Sequence, residues 1–253
     1  MRIAAIGDVH ANASALAGAL EVVDTAGYDL LVLLGDLLTY GPDVPETLEL
    51  VCERLGDART VLLRGNHDAF YCDLVDGKDA FLGGLQDWVG ESVTWTFERL
   101  PADLWSELHF QDEYLVRGLI FSHATPFGAG CWEYLNTAAE HERATGVIRE
   151  RGFQAGVFGH THRTKWYRDL NGRGLFRQRR QGLLDRPAVH LLNPGAIGQS
   201  RDTSNPTPHV LCLSVPDDSV AAAHFCMRGF AYDVRGHVDR VRTSGLSPAT
   251  VAK

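Results

Sequence analysis

Five short apolar runs, each closed by a cluster of polar residues, set the pattern of this chain. Ile3-Ala-Ala-Ile6-Gly7 leads to Asp8-Val9-His10, Leu30-Leu-Val-Leu-Leu34 to Gly35-Asp36, and Thr60-Val-Leu-Leu63 to Arg64-Gly-Asn-His-Asp68. Further on, Leu119-Ile-Phe121 leads to Ser122-His123, and Gly156-Val-Phe158 to Gly159-His160-Thr-His162. Runs rich in Val, Ile and Leu and bounded by Gly predict strands buried on both faces. In an α/β sheet, ligands bind beyond the carboxyl ends of such strands, so the polar clusters are expected to converge there.

Between the runs the period changes from two to 3.6. Asn12 is a candidate N-cap, and Leu16, Leu20 and Val23 fall on one face of a helix. After Tyr40-Gly41-Pro42-Asp43, a turn by composition, Leu48, Val51 and Leu55 mark a second helix. Residues 70–108 read as a helical, aromatic segment near the site, with Pro101 as a stop. Some of its rings could line a pocket, although such stripes more often belong to a core. Glu107 to Phe110 and Tyr114 to Phe121 are expected to pair as a hairpin around Gln111-Asp-Glu113. Thr137-Ala-Ala-Glu140 fits a capping box that opens a helix ending at Gly152. Lys165 to Leu170 and Leu175 to Arg180 flank Asn171-Gly172, a hairpin signal whose loop Arg173-Gly174 is expected to lengthen. Val189 to Leu192, His209 to Val215 and Val220 to Cys226 read as further strands. Residues 1–239 are thus expected to form a single domain, with 240–253 a poorly ordered tail.

Composition narrows the class. The 253 residues are 45% hydrophobic and 22% charged, as in ordinary globular proteins. No apolar run approaches the roughly 18 residues of a membrane span. Met1-Arg2 runs straight into a strand, which makes the cytoplasm the expected compartment. The five cysteines are odd in number and include no Cys-x-x-Cys, so neither a disulfide framework nor a thiolate zinc site is indicated. A net charge of -8 argues against general binding of nucleic acid or anionic membranes. One local exception is basic: residues 163–186 carry eight Lys or Arg against two Asp, and Arg177 within them is a candidate substrate contact. A solvated hairpin explains the same run.

A lone Asp-x-His or His-x-His is a weak signal; the joint pattern is stronger. Asp8 with His10, and His160 with His162, can each converge on one point, because residues two apart on an extended segment share a face. With Asp36, Asn66 and His123 they make seven potential donors, too many for one tetrahedral ion and suited to two ions sharing a carboxylate. Imidazole, carboxylate and amide without thiolate suit divalent transition metals: Mn foremost, with Fe, Zn, Co or Ni as alternatives. Two such ions outweigh the two carboxylates, and an anionic phosphate ester would balance the excess.

These blocks, in this order, resemble those of the calcineurin-like metallophosphoesterases, over roughly residues 1 to 200. The resemblance implies an α/β fold, a four-layer α/β/β/α sandwich of two mixed sheets flanked by helices. It also implies that Asp8, His10, Asp36 and His162 hold one metal and Asp36, Asn66, His123 and His160 the other. His67 would be the catalytic residue that contacts the phosphate and assists the leaving group as activated water attacks phosphorus in line. Tyr40-Gly-Pro-Asp43 and Asn193-Pro-Gly195-Ala-Ile-Gly198 look most like compact bacterial phosphodiesterases of the diadenosine tetraphosphatase-like kind, which makes Asn193 and Gly195 candidate substrate contacts. Protein phosphatases of the superfamily carry Gly-Asp-x-x-Asp-Arg-Gly where this chain has Gly35-Asp36-Leu-Leu-Thr39-Tyr40-Gly41. The usual Asp partner of the histidine and the usual phosphate-gripping Arg are absent.

The expected function is therefore metal-dependent hydrolysis of small phosphate esters, diesters before monoesters, with nucleotide-polyphosphate hydrolysis as an alternative. A non-enzymatic metal-binding scaffold of the same fold, as in the retromer subunit, is the rival from another class. His67 beside Asn66 favours the enzyme, since a scaffold needs no proton donor. Neither the oligomeric state nor the physiological substrate is legible.

Overall fold

The computed structural model describes residues 1–177, 179–217 and 222–251. The first half alternates strand and helix: β1 (Arg2–Ile6), α1 (Ala13–Ala26), β2 (Leu30–Leu33), α2 (Val44–Leu55) and β3 (Thr60–Leu62). A helical stretch follows, made of α3 (Asn66–Val75), a 3-10 turn (Ala80–Gly84), α4 (Asp87–Phe97) and α5 (Ala102–Ser106). Then come β4 (Glu113–Val116), β5 (Leu119–Ser122), α6 (Ala138–Glu150), β6 (Ala155–Val157), β7 (Thr164–Leu170) and β8 (Arg173–Arg177). The chain continues through β9 (Gln181–Leu183), β10 (Val189–Pro194), β11 (His209–Ser214), β12 (His224–Gly229), α7 (Val234–Thr243) and α8 (Pro248–Val251).

Two mixed sheets of six strands result, one in the order β3-β2-β1-β11-β12-β9 and the other β4-β5-β6-β10-β7-β8. Strand alternation shows how they stack. Ile3 and Ala5 of β1 pack with Leu119, Phe121 and Val157 in a core between the sheets. Ala4 and Ile6 of the same strand turn to the other side, against Leu16, Leu20 and Val23 of α1 and Leu48 of α2. The far face of the second sheet, including Ile120 and Leu191, packs on Ala144 and Ile148 of α6. Helix, sheet, sheet, helix is the expected sandwich, and the strands read as buried on both faces are so because each sheet is covered twice. No helix among the described residues is long and apolar enough to cross a membrane.

Both helix caps are made as expected: Asn12 accepts from Ala15 N, and Thr137 with Glu140 forms the capping box of α6. Four expectations need correction. The hairpin into His123 joins β4 and β5 at Arg117-Gly118, both at positive φ, instead of pairing 107–110 around 111–113. Residues 102–106 are helical after Pro101, and Phe110 packs against Trp105. Arg173-Gly174 lies within β8, because Asn171 and Gly172 at φ 53° and 77° close the hairpin as a two-residue turn. The last strand is His224–Gly229, and Val220 lies outside the described residues. The stretch from Arg240, expected as a tail, holds the end of α7 and, after a turn at 244–247, α8 to Val251, and it is held down: Arg240 binds Asp43 at both carboxylate oxygens, 2.8 Å each, and Ser14 Oγ at 2.7 Å.

Candidate metal centre

All five polar clusters meet at one end of the sandwich. Asp8 and His10 follow β1, Asp36 follows β2, and Asn66 and His67 open α3 after β3; His123 follows β5, and His160 and His162 follow β6. Close backbone approach makes this possible. A Cβ on Gly35 would lie 2.4 Å from Gly65 N, and one on Gly65 would lie 2.1 Å from Asp36 Oδ1. Asp68 ties these loops together, accepting from Asp36 N, Leu37 N and Gly65 N at 2.7, 3.0 and 2.8 Å. Asp8, His10, Ala11, Asp36, Thr39, Tyr40, His160 and His162 all have positive φ although none is glycine. Conformations of that kind collect at functional sites, where the surrounding structure enforces them.

The donors form two groups whose ligand atoms lie within 4.8 Å of one another: Asp8, His10, Asp36 and His162, and Asp36, His123 and His160. Asp36 belongs to both. Its Oδ1 accepts from His67 N at 2.9 Å, while Oδ2 stands 3.4 Å from His123 Nε2 and 3.8 Å from His10 Nε2. Asn66 Oδ1, 3.2 Å from His123 Nε2, joins the second group.

Hydrogen bonding fixes which nitrogen each imidazole offers. His10, His123 and His162 turn Nδ1 to the carbonyls of Leu38, Leu34 and Gln199 at 3.0, 2.8 and 2.7 Å. A carbonyl only accepts, so Nδ1 carries a proton and Nε2 is the nitrogen turned to the centre, as a lone pair at His10 and His162 and as a group that Asp36 draws toward its protonated form at His123. His160 does the reverse, giving Nε2 to Trp132 O at 3.0 Å and leaving Nδ1 to the site. The lone pairs of His10 and His162 thus face each other across 3.0 Å, an arrangement that a cation beside them would relieve. Burial drives the His10 and His160 pKa values down to about 3, so both are neutral donors. Burial also opposes charge on His123, yet the charge of Asp36 and its hydrogen bond raise it to about 9. The same burial pushes Asp8 up to about 7. Buried carboxylates beside imidazoles that are neutral at His10, His160 and His162, with positive charge drawn to His123 by Asp36, fit divalent metal ions.

His67 is 5% exposed and lies beside these groups. Its Nδ1 meets Thr39 Oγ1 at 3.0 Å, and Thr39 in turn makes a short bond to the hydroxyl of fully buried Tyr71. Its Nε2 lies 3.2 Å from the Tyr40 hydroxyl. Burial lowers its pKa, partly offset by Asp36. A cleft of about 600 Å³ opens over Asn66 and His67, walled by Phe70, Trp88, Tyr134 and Arg201. Phe70 and Trp88 are therefore pocket-lining members of the aromatic segment.

Arg201, Thr39 and Tyr71 are the residues that sequence reasoning missed. Arg201 is held by its N–H to His162 O at 3.1 Å, and its charge acts on Asp8, His10, Tyr40, His67 and His162. The three candidate substrate contacts sit outside the cleft. Asn193 gives its amide to Gly159 O at 2.6 Å and Thr161 Oγ1 at 3.0 Å, bracing the loop that carries His160. Gly195 donates to Asn193 Oδ1 at 2.8 Å, completing that brace with a positive φ. Arg177 is exposed on β8, the outer strand of its sheet, and does not line the cleft. Its neighbours Arg179 and Arg180 line a separate cavity of about 980 Å³ that contains none of the donors.

The sequence profile of the calcineurin-like phosphoesterase superfamily domain matches residues 1–218. Among curated sequences, the chain is 29% identical over 211 residues to the uncharacterized protein MJ0912 of Methanocaldococcus jannaschii, covering 80% of this chain and 79% of that one. Among solved structures it resembles a metallophosphoesterase from Sphaerobacter thermophilus, with a TM-score of 0.77, 24% identity and coverage of 99% and 97%. The hypothetical protein PH1004 from Pyrococcus horikoshii gives a TM-score of 0.73 at 14% identity, covering 99% and 96%. At these identities the two structures speak for the fold.

Proposed function

The chain belongs to the calcineurin-like phosphoesterase superfamily, and from that premise we propose that it is a binuclear metal-dependent hydrolase of phosphate esters, with diesters the preferred class. The observation that carries this reading is Asp36, shared by two buried donor groups, with the imidazole of His67 fixed alongside. Asp8, His10, Asp36 and His162 would hold one ion, and Asp36, Asn66, His123 and His160 the other, with Mn the first candidate among the divalent transition metals Mn, Fe, Zn, Co and Ni that mixed imidazole and carboxylate donors accept. When bound, the ions would supply Lewis acidity toward phosphoryl oxygens and lower the pKa of water.

The protein's own part is positioning and proton delivery. Arg201 draws the anionic ester into the cleft and offers a fork of donors to a phosphoryl oxygen. His67, held at Nδ1 by Thr39, presents Nε2 to the cleft, where it gives a proton or a hydrogen bond to the departing oxygen. Tyr40, kept protonated by burial and by Asp36, is a second donor at the same place. Where protein phosphatases of the superfamily carry Asp and Arg, this chain supplies Thr39 and a remote Arg201.

Two cavities meet at Tyr40, one over His67 and one on the His10 side, which suits an ester with two arms. The test is a panel of p-nitrophenyl mono- and diesters given to metal-reconstituted and chelated protein. Turnover that requires metal and is faster for the diesters supports the reading. A scaffold would turn over none of them, and the alignment of His67 with a hydroxyl partner favours the enzyme.

A further inference from the structure

The second cavity, about 500 Å³, touches His10 and shares Tyr40, Gln199 and Ser200 with the cleft over His67. Its other wall is α7. Val234, Val238 and Val241 recur along that helix at spacings of four and three, yet none of its residues is buried in the core. A helical apolar stripe normally packs against neighbouring elements. Here the stripe faces the cavity, opposite Ile197 and Phe230, and leaves Val234 50% exposed. The helix is also fixed in place, through Arg240 to Asp43 and Ser14. This wall lies beyond residues 1–218, the span of the superfamily match.

We propose that this cavity receives the ester arm that remains on phosphorus, and that it selects phosphodiesters whose retained arm is a short alkyl or phenyl group. The inference rests on the hydrolytic reading above. His67 marks the cleft as the leaving-group side, so a diester held at the donors has its other arm to place, and the cavity beside His10 is the apolar space that adjoins them. In the reaction a water oxygen joins phosphorus and the P–O bond to the leaving arm breaks. The leaving oxygen takes a proton from His67, the proton released by water restores it, and the retained arm departs as a phosphate monoester.

The test keeps p-nitrophenol as the leaving group and varies the retained arm from methyl through ethyl and butyl to phenyl. Each buried methylene should raise kcat/KM about fourfold. Methyl to butyl should therefore gain on the order of 50-fold. Val238→Trp, which fills the cavity from a partly exposed position, should erase the gain along the series. Val234→Glu, which places a charge at the mouth, should do the same, so the result does not hang on one variant. Calorimetry with methyl and butyl phosphonates on the metal-loaded protein provides a reading without turnover, with butyl binding more tightly in wild type only. Equal kcat/KM and equal phosphonate affinity along the series, in an enzyme that does turn over, overturns the pocket and leaves the hydrolase standing. No turnover of any ester with both ions bound overturns the hydrolase reading itself.

Discussion

Thr39→Val separates the positioning of His67 from every other feature of the site. The substitution keeps the shape of a fully buried side chain and removes its hydroxyl. His67 Nδ1 then loses its partner at 3.0 Å, and Tyr71 loses the short bond behind it. Leaving such buried groups without a partner costs about 1–3 kcal/mol each, so a lowered melting temperature is expected. The catalytic loss is a fraction of what the histidine contributes. A positioned acid is typically worth 10²–10⁴-fold, and misplacement by about 1 Å can cost 10²-fold. Thr39→Val should thus lower kcat by roughly 10- to 100-fold with little change in KM, most for alkyl leaving groups and least for p-nitrophenol. Thr39→Ser restores the hydroxyl and should recover most of the rate. Tyr71→Phe leaves the Thr39 to His67 contact in place, so it should cost stability more than rate. The assay is steady-state kinetics over leaving groups of graded acidity, at constant metal content. A folded Thr39→Val protein with full turnover of a poor alkyl leaving group would refute the positioning argument.

Three further outcomes follow from the same geometry. His67→Ala should retain its metal and lose most turnover, with the smallest loss for acidic leaving groups; elemental analysis and the same kinetic series check it. Arg201→Ala should raise KM roughly tenfold or more with a smaller effect on kcat, as expected for a charge-assisted contact of about 1.5–3 kcal/mol, and the loss should shrink at high salt. The Asp43 clamp on α7 gives a pH dependence. Burial alone would raise the Asp43 pKa, but the His237 imidazole 3.6 Å away and the two hydrogen bonds from Arg240 outweigh it and hold it at about 2. A carboxylate depressed in the folded state stabilises it above its unfolded pKa of about 3.9, and that stabilisation fades as pH falls through about 2. Amide protection on α7, taken against the intrinsic exchange rate at each pH, should fall over that window, and in Asp43→Asn it should already be lower at pH near 7; unchanged protection in both would remove the clamp from the account.

The donor set was legible because it repeats one local pattern: an apolar run that can only be a buried strand, then a polar cluster at its end. Seven residues so placed had to converge once the strands were parallel neighbours in stacked sheets. What eluded the sequence depends on contacts between distant segments. Thr39 lies 28 residues before His67, and its hydroxyl gains meaning only from the loop geometry that brings the two together. Arg201 follows a glycine-rich loop with nothing local to mark it. The basic run at 163–186 was conspicuous but points elsewhere, with Arg168 paired to Asp185 and Arg177 on an outer strand. The hairpin before His123 was misplaced because alternating apolar residues at 107–110 imitate a strand, while Arg117-Gly118 is the turn. The C-terminal helix looked like a tail because its anchor, Asp43, is 197 residues away.

The central claim is that two ions, bridged by Asp36, are what the buried donors are for. Titrating metal-stripped protein with Mn while following turnover of bis-p-nitrophenyl phosphate tests it directly. Activity should climb to a plateau as the second equivalent binds, and Asp36→Asn should impair both binding steps while His162→Ala impairs mainly one. A plateau at a single ion per chain, or no turnover at any metal loading, would contradict the account.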